Sequence, residues 1–166
     1  MKKMFITLVM ALAFVGCGGG DSSSNKEQPA EKSEGIPELD RTDSIVGIDE
    51  NANGVRDDIE AYINKNYSDE GQRKALFQYA KATQATLLVN ASDIIAVKNA
   101  NGQRSRGLHC ISLKFNAEKG DENPGIAWEK IRSMTTNTKT RLKAYLNFSK
   151  ALEGTSWALP KGDTCE

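Results

Sequence analysis

The sequence predicts an all-α fold: a small domain of about four or five helices, preceded by an export leader and a flexible linker. Three observations carry that expectation. From about Val55 onwards the apolar residues recur mainly at intervals of three and four, the period of one helix face. A cap with an acidic first turn, Ser68-Asp69-Glu70, and a capping Ser92 stand just ahead of such runs. Turn-forming segments, Asn101-Gly102, the polar stretch Asn116 to Pro124, and Gly154, lie between or after them.

Residues 1–16 form the leader. Lys2 and Lys3 are followed by an apolar run from Met4 to Val15, the length of a signal-peptide core and too short to span a bilayer. The run ends at Phe14-Val15-Gly16-Cys17, which resembles the lipobox of bacterial lipoproteins, with Phe14 where leucine is usual. The resemblance implies cleavage before Cys17, lipidation of Cys17 and anchoring to a membrane through it. Gly18 rather than aspartate follows, and the sorting rule of the family then implies the outer membrane, with the domain facing periplasm or exterior. The other reading is an ordinary secretory signal with a chance cysteine; the small residues before Cys17 and the Gly/Ser tract after it speak against that.

Residues 17–35 hold this cysteine and a linker of glycine, serine, lysine, glutamate and proline. The linker lacks the apolar surface that offsets chain ordering, so it is expected to be a disordered tether with a mean reach of about 25 Å. The domain proper is placed at 36–166. Its lead-in, Ile36 to Ile48, is interrupted by Pro37 and Gly47, and Leu39, Ile45, Val46 and Ile48 are expected to pack the adjoining loop onto the core.

That loop reads Asp49-Glu50-Asn51-Ala52-Asn53-Gly54-Val55-Arg56-Asp57-Asp58-Ile59-Glu60. Oxygen-bearing side chains stand at positions one, three, five, nine and twelve, with glycine at six where a sharp turn is needed. The plain alternative is a polar Asn/Asp/Gly turn ahead of a helix. The full pattern resembles the EF-hand calcium loop, and the resemblance covers these twelve residues and the helix after them. It implies Ca²⁺ as the cofactor, with Asp49, Asn51, Asn53, the Val55 carbonyl, Asp57 (directly or through a water) and a bidentate Glu60 as ligands. Asp58, at position ten, points away. Three departures mark the loop: Arg56 stands at position eight, where EF-hands carry an aliphatic residue; no entering helix precedes it; and no second loop of this type occurs in the chain. It is in this respect similar to the single EF-hand-like sites of secreted bacterial proteins such as dockerin repeats. A structural site, rather than a paired sensor, is expected.

The helices are read in order. The first starts near Val55, with Ile59, Tyr62 and Ile63 on one face and Asp57 and Asp58 favourable at its N-terminus. The second runs to about Asn90 with Leu76, Tyr79, Ala80, Thr83 and Leu87 inward. A third covers Ile94, Ile95 and Val97 before Asn101-Gly102 interrupts it. Residues 104–116 fit a helix through Leu108, Ile111 and Phe115, or a strand through Ile111, Leu113 and Phe115; helix is preferred because its neighbours are helical. The last helix is expected to be the longest, Ile126 to Leu152, with Trp128, Ile131, Thr135, Thr138, Leu142, Tyr145 and Leu152 along one side.

If Cys17 carries lipid, Cys110 and Cys165 are left as a pair in an oxidising compartment, and a disulfide between them is expected. The competing reading, a reactive Cys110 with His109 as its base, suffers because adjacent residues point apart in helix and strand alike.

Without Lys2 and Lys3, 20 basic residues face 22 acidic ones, a formal charge of −2. No basic excess steers the chain to nucleic acid or to anionic lipid. There is one histidine, without a catalytic or zinc motif around it, and Gly18-Gly19-Gly20 precedes no helix. Asp121-Glu122-Asn123 matches no metal loop and reads as a solvated turn. The function expected is that of a calcium-binding, non-enzymatic envelope lipoprotein whose helical platform meets a protein partner. The alternatives are a periplasmic hydrolase acting on envelope material and a periplasmic inhibitor or immunity lipoprotein.

Overall fold

The computed structural model describes residues 38–166; the leader, Cys17, the linker and the start of the lead-in, Ile36 and Pro37, lie outside the described residues. These are all-α, with helices α1 (Asp57–Asn66), α2 (Glu70–Leu88), α3 (Ile94–Lys114), α4 (Pro124–Thr135) and α5 (Lys139–Ala151), and a short 3-10 turn at Ala117–Lys119. No described helix is long and apolar enough to cross a membrane.

α2 is the central helix and packs against all four others. Its expected inward stripe, Leu76, Tyr79, Ala80, Thr83 and Leu87, is buried throughout, as are Ile59, Tyr62 and Ile63 of α1. The core continues through Cys110, Ile111 and Phe115 to Ala127, Ile131 and Met134. α3 comes so close to α2 at Gly107 that a Cβ there would lie 2.8 Å from the Tyr79 Cα.

The caps fall one residue later than Ser68 and Ser92. Asp69 Oδ1 accepts from the Gln72 N–H at 2.8 Å, and Asp93 Oδ1 accepts from the Ile95 and Ala96 N–H groups, each at 3.0 Å. Asn101-Gly102 does not interrupt anything: α3 runs through it. Gly102 faces open space, where its cost is only propensity, and buried Asn101 is held inside the helix by the Ser105 hydroxyl and the Arg104 guanidinium. Residues 104–114 are helical, with Ile111 buried and Leu113 half-exposed, whereas a strand would have turned both the same way.

The single long helix expected at 126–152 is two helices. Thr136-Asn137-Thr138 separates α4 from α5, and Thr138 starts α5 by accepting the Arg141 N–H. Thr135 and Thr136 hydroxyls bond back to the carbonyls of Ile131 and Arg132, which helps end α4, and Asn137 turns its amide into the interior. Pro124 opens α4 at a position where its missing N–H costs nothing, with Asn123 as cap.

Cys110 of α3 and Cys165 are joined, with Cα atoms 5.0 Å apart. The tail is strapped down beside this bond: Gln78 Nε2 donates to the Thr164 carbonyl, and the Thr164 hydroxyl donates to the Arg106 carbonyl. His109 Nδ1 lies 3.2 Å from Thr164 Oγ1, so the histidine helps hold the strap.

Candidate metal centre

The loop Asp49 to Glu60 enters α1 without a break, so Glu60 sits in the first helical turn and the rest of the loop curls back over it. Two residues take left-handed backbone to make the curl, Ala52 (φ 54°) and Gly54 (φ 88°). Asp49 closes the near end: its two carboxylate oxygens accept the Asn53 N–H at 3.1 Å and the Gly54 N–H at 2.9 Å. Asn51 and Asn53 face Glu60. Asn51 Nδ2 donates to Glu60 Oε2 at 3.1 Å, and Asn53 Nδ2 donates to Glu60 Oε1.

Positions three, five and twelve therefore converge. Position one lies behind them on the loop amides. Asp57, at position nine, is turned to the Glu50 N–H at 3.3 Å. Val55 is buried in the core, which fixes the backbone at position seven. Among the described residues, no group of three or more His, Cys, Asp or Glu side chains is arranged to hold a metal. The three expected ligand carboxylates, Asp49, Asp57 and Glu60, are tied separately, to loop amides, to the Glu50 N–H and to the two asparagines.

The donor set is nonetheless the one a hard cation takes: all oxygen, three of the groups anionic. Each asparagine oxygen receives one loop N–H, from Asn53 at 3.0 Å and from Val55 at 2.8 Å. An amide oxygen has two lone pairs, so one remains on each for a cation.

Arg56 accounts for its own departure from the EF-hand pattern. It is fully buried, with Nε 2.9 Å from Asp58 Oδ1 and Nη2 2.6 Å from Asp58 Oδ2. It also donates to Asn137 Oδ1 at 3.1 Å and to the Met134 carbonyl at 3.2 Å, bolting the loop to the α4–α5 junction. In a paired EF-hand, position eight bridges to a second loop; here it bridges to the helical body.

Asp58 also accepts the Asp40 N–H at 2.8 Å. Asp40 pairs with buried Arg141 at 3.1 Å and accepts from Thr42 and Ile48 N–H groups, while Asn137 links Arg56 to Arg141. Burial works to raise the Asp40 carboxyl, but the Thr42 hydrogen bonds, the Arg141 charge and the Ile48 N–H outweigh it and hold the pKa down at about 2. Burial and the charge of neighbouring Arg56 lower the Arg141 pKa from its ordinary value.

The lead-in is held by this network more than by apolar packing. Of the four residues expected to pack, Leu39 meets the core and Ile45 is half-buried; Val46 and Ile48 are exposed. Gln84 Nε2 of α2 holds the Ile45 and Val46 carbonyls instead. Periodicity could not show this ionic network. Its one trace in the sequence was arginine at an aliphatic position.

The acids of Asp121-Glu122-Asn123 are used internally. Asp121 accepts the Asn116 N–H, Glu122 binds Lys130 and the Tyr67 hydroxyl, and Asn123 caps α4. Burial and the bond to Glu122 push the Tyr67 hydroxyl pKa up. The chain matches no family model, no curated protein and no solved structure.

Proposed function

We propose that the protein is a calcium-binding bacterial envelope lipoprotein without enzymatic activity, anchored through Cys17, whose cation stabilises a helical platform for a protein partner. The observation that supports the calcium reading best is the convergence of Asn51 and Asn53 on the Glu60 carboxylate at the start of α1. A cation there would be held by Asp49, Asn51, Asn53, the Val55 carbonyl, Asp57 and Glu60. It would supply charge neutralisation for the three ligand carboxylates Asp49, Asp57 and Glu60, and would fix the loop against the helix start. The EF-hand resemblance carries the rest, and Arg56 supplies the support a lone loop lacks.

The outer-membrane address rests on the lipobox resemblance at Phe14-Val15-Gly16-Cys17. Mass spectrometry of the mature N-terminus is expected to find a lipid-modified Cys17, and Cys17→Ser is expected to leave an uncleaved or soluble form. Calorimetric titration tests the metal: heat of binding with Ca²⁺ and much less with Mg²⁺ is the expected result. No binding at millimolar Ca²⁺ would reduce Asp49 to Glu60 to a polar turn. The partner is sought by pull-down from envelope extracts.

A further inference from the structure

We propose that the outward face of α5 is a docking surface that seats the domain on an anionic phospholipid bilayer. α5 contains Lys139, Arg141, Lys143 and Lys150 and neither aspartate nor glutamate. Arg141 and Phe148 are its buried residues. At about 100° per residue, Lys139, Leu142, Lys143, Leu146, Asn147 and Lys150 project from the opposite side, across an arc of about 140°. All six are exposed. Leu142 and Leu146, one helical turn apart, are 46% and 56% exposed and form one edge of the arc, with the three lysines along its middle.

A groove of about 430 Å³ runs beside these lysines, lined by Ile45, Lys139, Thr140, Lys143, Ala144 and Asn147 without a carboxylate among them. The overall charge hides this asymmetry. Residues 38–60 carry eight acidic and two basic side chains, a formal −6, whereas the outward face of α5 carries +3 from Lys139, Lys143 and Lys150; Arg141, buried on the opposite side, is paired with Asp40. These three lysine charges share one face of α5, with no carboxylate on that helix.

Charge complementarity identifies the occupant as a surface of phosphates, and the leucines identify that surface as a bilayer. Lysine stems lie along apolar material while their ammonium groups stay in the polar layer, and a neighbouring leucine pair reaches the acyl boundary. A flat acidic protein would satisfy the lysines and leave Leu142 and Leu146 in water. The setting, a domain already tethered near a membrane, rests on the lipoprotein reading above; the binding itself does not.

The test uses residues 38–166, the described helical domain that contains the core cluster and the disulfide. It is sedimented with vesicles of phosphatidylcholine alone or mixed with phosphatidylglycerol, in the presence of chelator so that calcium cannot bridge. Binding is expected to the mixed vesicles only, and to weaken with salt. Lys139→Gln with Lys143→Gln is expected to weaken it about 25-fold, at about fivefold per lysine. Leu142→Ser with Leu146→Ser is expected to weaken it about tenfold. Helical content and melting should hardly move, because these side chains are exposed.

Lys65→Gln with Lys98→Gln removes the same charge from exposed sites on α1 and α3 and should matter far less. Equal loss in that control, or no binding to the mixed vesicles, overturns the proposal. Capture by polyglutamate without vesicle binding also overturns it, and reassigns the face to an acidic protein. An unmodified Cys17 or a failed calcium titration would sink the earlier reading and leave the vesicle result standing.

Discussion

Arg56 and Asp58 form a buried ion pair, 2.6 Å from Nη2 to Oδ2, at the point where the candidate loop becomes α1. The arginine is fully buried and the aspartate side chain 9% exposed, so neither charge has water to fall back on. Removing one partner leaves the other buried and uncompensated, which costs about 3 kcal/mol or more. Asp58→Asn is therefore expected to lower stability by about 3 kcal/mol in urea denaturation. A change within about 0.5 kcal/mol, the size of an ordinary surface substitution, would show that the pair does not hold the loop in place.

Asp40 sets an acid limit. Its folded-state pKa of about 2 lies below the ordinary 3.8, so the unfolded chain takes up this proton first as pH falls. The stabilisation is complete above about pH 4 and is lost as pH falls through about 2, on the order of 2 kcal/mol. Asp40→Asn should flatten that part of the stability profile, read from denaturation midpoints between pH 5 and pH 2. The same slope in both proteins would place the acid sensitivity elsewhere.

Two glycines of α3 should respond in opposite directions. A Cβ at Gly102 would meet nothing within 4 Å, so Gly102→Ala should stabilise by about 0.5–1 kcal/mol through helix propensity alone. Gly107→Ala would drive a methyl to within 2.8 Å of the Tyr79 backbone and should destabilise by about 1–3 kcal/mol. Melting curves of the two variants suffice. Equal shifts would mean that α2 and α3 do not approach each other closely at Gly107.

These positions show what the sequence could and could not reveal. The inward faces of α1 and α2 were legible because burial follows period directly: Ile59, Ile63, Leu76 and Tyr79 repeat at helical spacing. Asn101-Gly102 misled because a turn signal carries no information about whether the glycine faces solvent, where a helix tolerates it. The α4–α5 break was illegible for the opposite reason. Thr135 and Thr138 keep the helical period, and the chain is diverted by Asn137, whose partners Arg56, Asp40 and Arg141 come from distant or separate segments. The ligand pattern of the loop was visible as spacing. Its support was not, since an ionic network has no period.

The disulfide closes 55 residues of chain between α3 and the tail. On the chain-entropy account, reduction should cost about 4 kcal/mol. Cys165→Ser should show most of that loss, together with release of the strap around Thr164, seen as faster amide exchange at residues 163–166. Non-reducing peptide mapping checks the bond itself, and two free thiols in exported protein would return Cys110 to consideration as a reactive group.

The decisive variants for the metal are Glu60→Gln and Asp58→Asn, because the loop sets their side chains to different tasks. Neutral Asn51 and Asn53 and the lack of a second loop point to a dissociation constant on the order of 10⁻⁵ to 10⁻³ M. At a hundred times that constant, occupancy stabilises by about 2.7 kcal/mol, so calcium should raise the melting temperature by several degrees. Glu60→Gln removes the carboxylate on which Asn51 and Asn53 converge, and should abolish most of the calcium-dependent gain. It should change the calcium-free protein little, since these amides are exposed and the one glutamine oxygen still accepts from one of them. Asp58→Asn should do the reverse, lowering stability with and without calcium and leaving a similar gain. Melting each protein in calcium and in chelator separates the two effects. If neither wild type nor variant responds to calcium, the loop is a polar turn held by Arg56; if both variants lose the gain equally, Asp58 and Glu60 do not have separate roles.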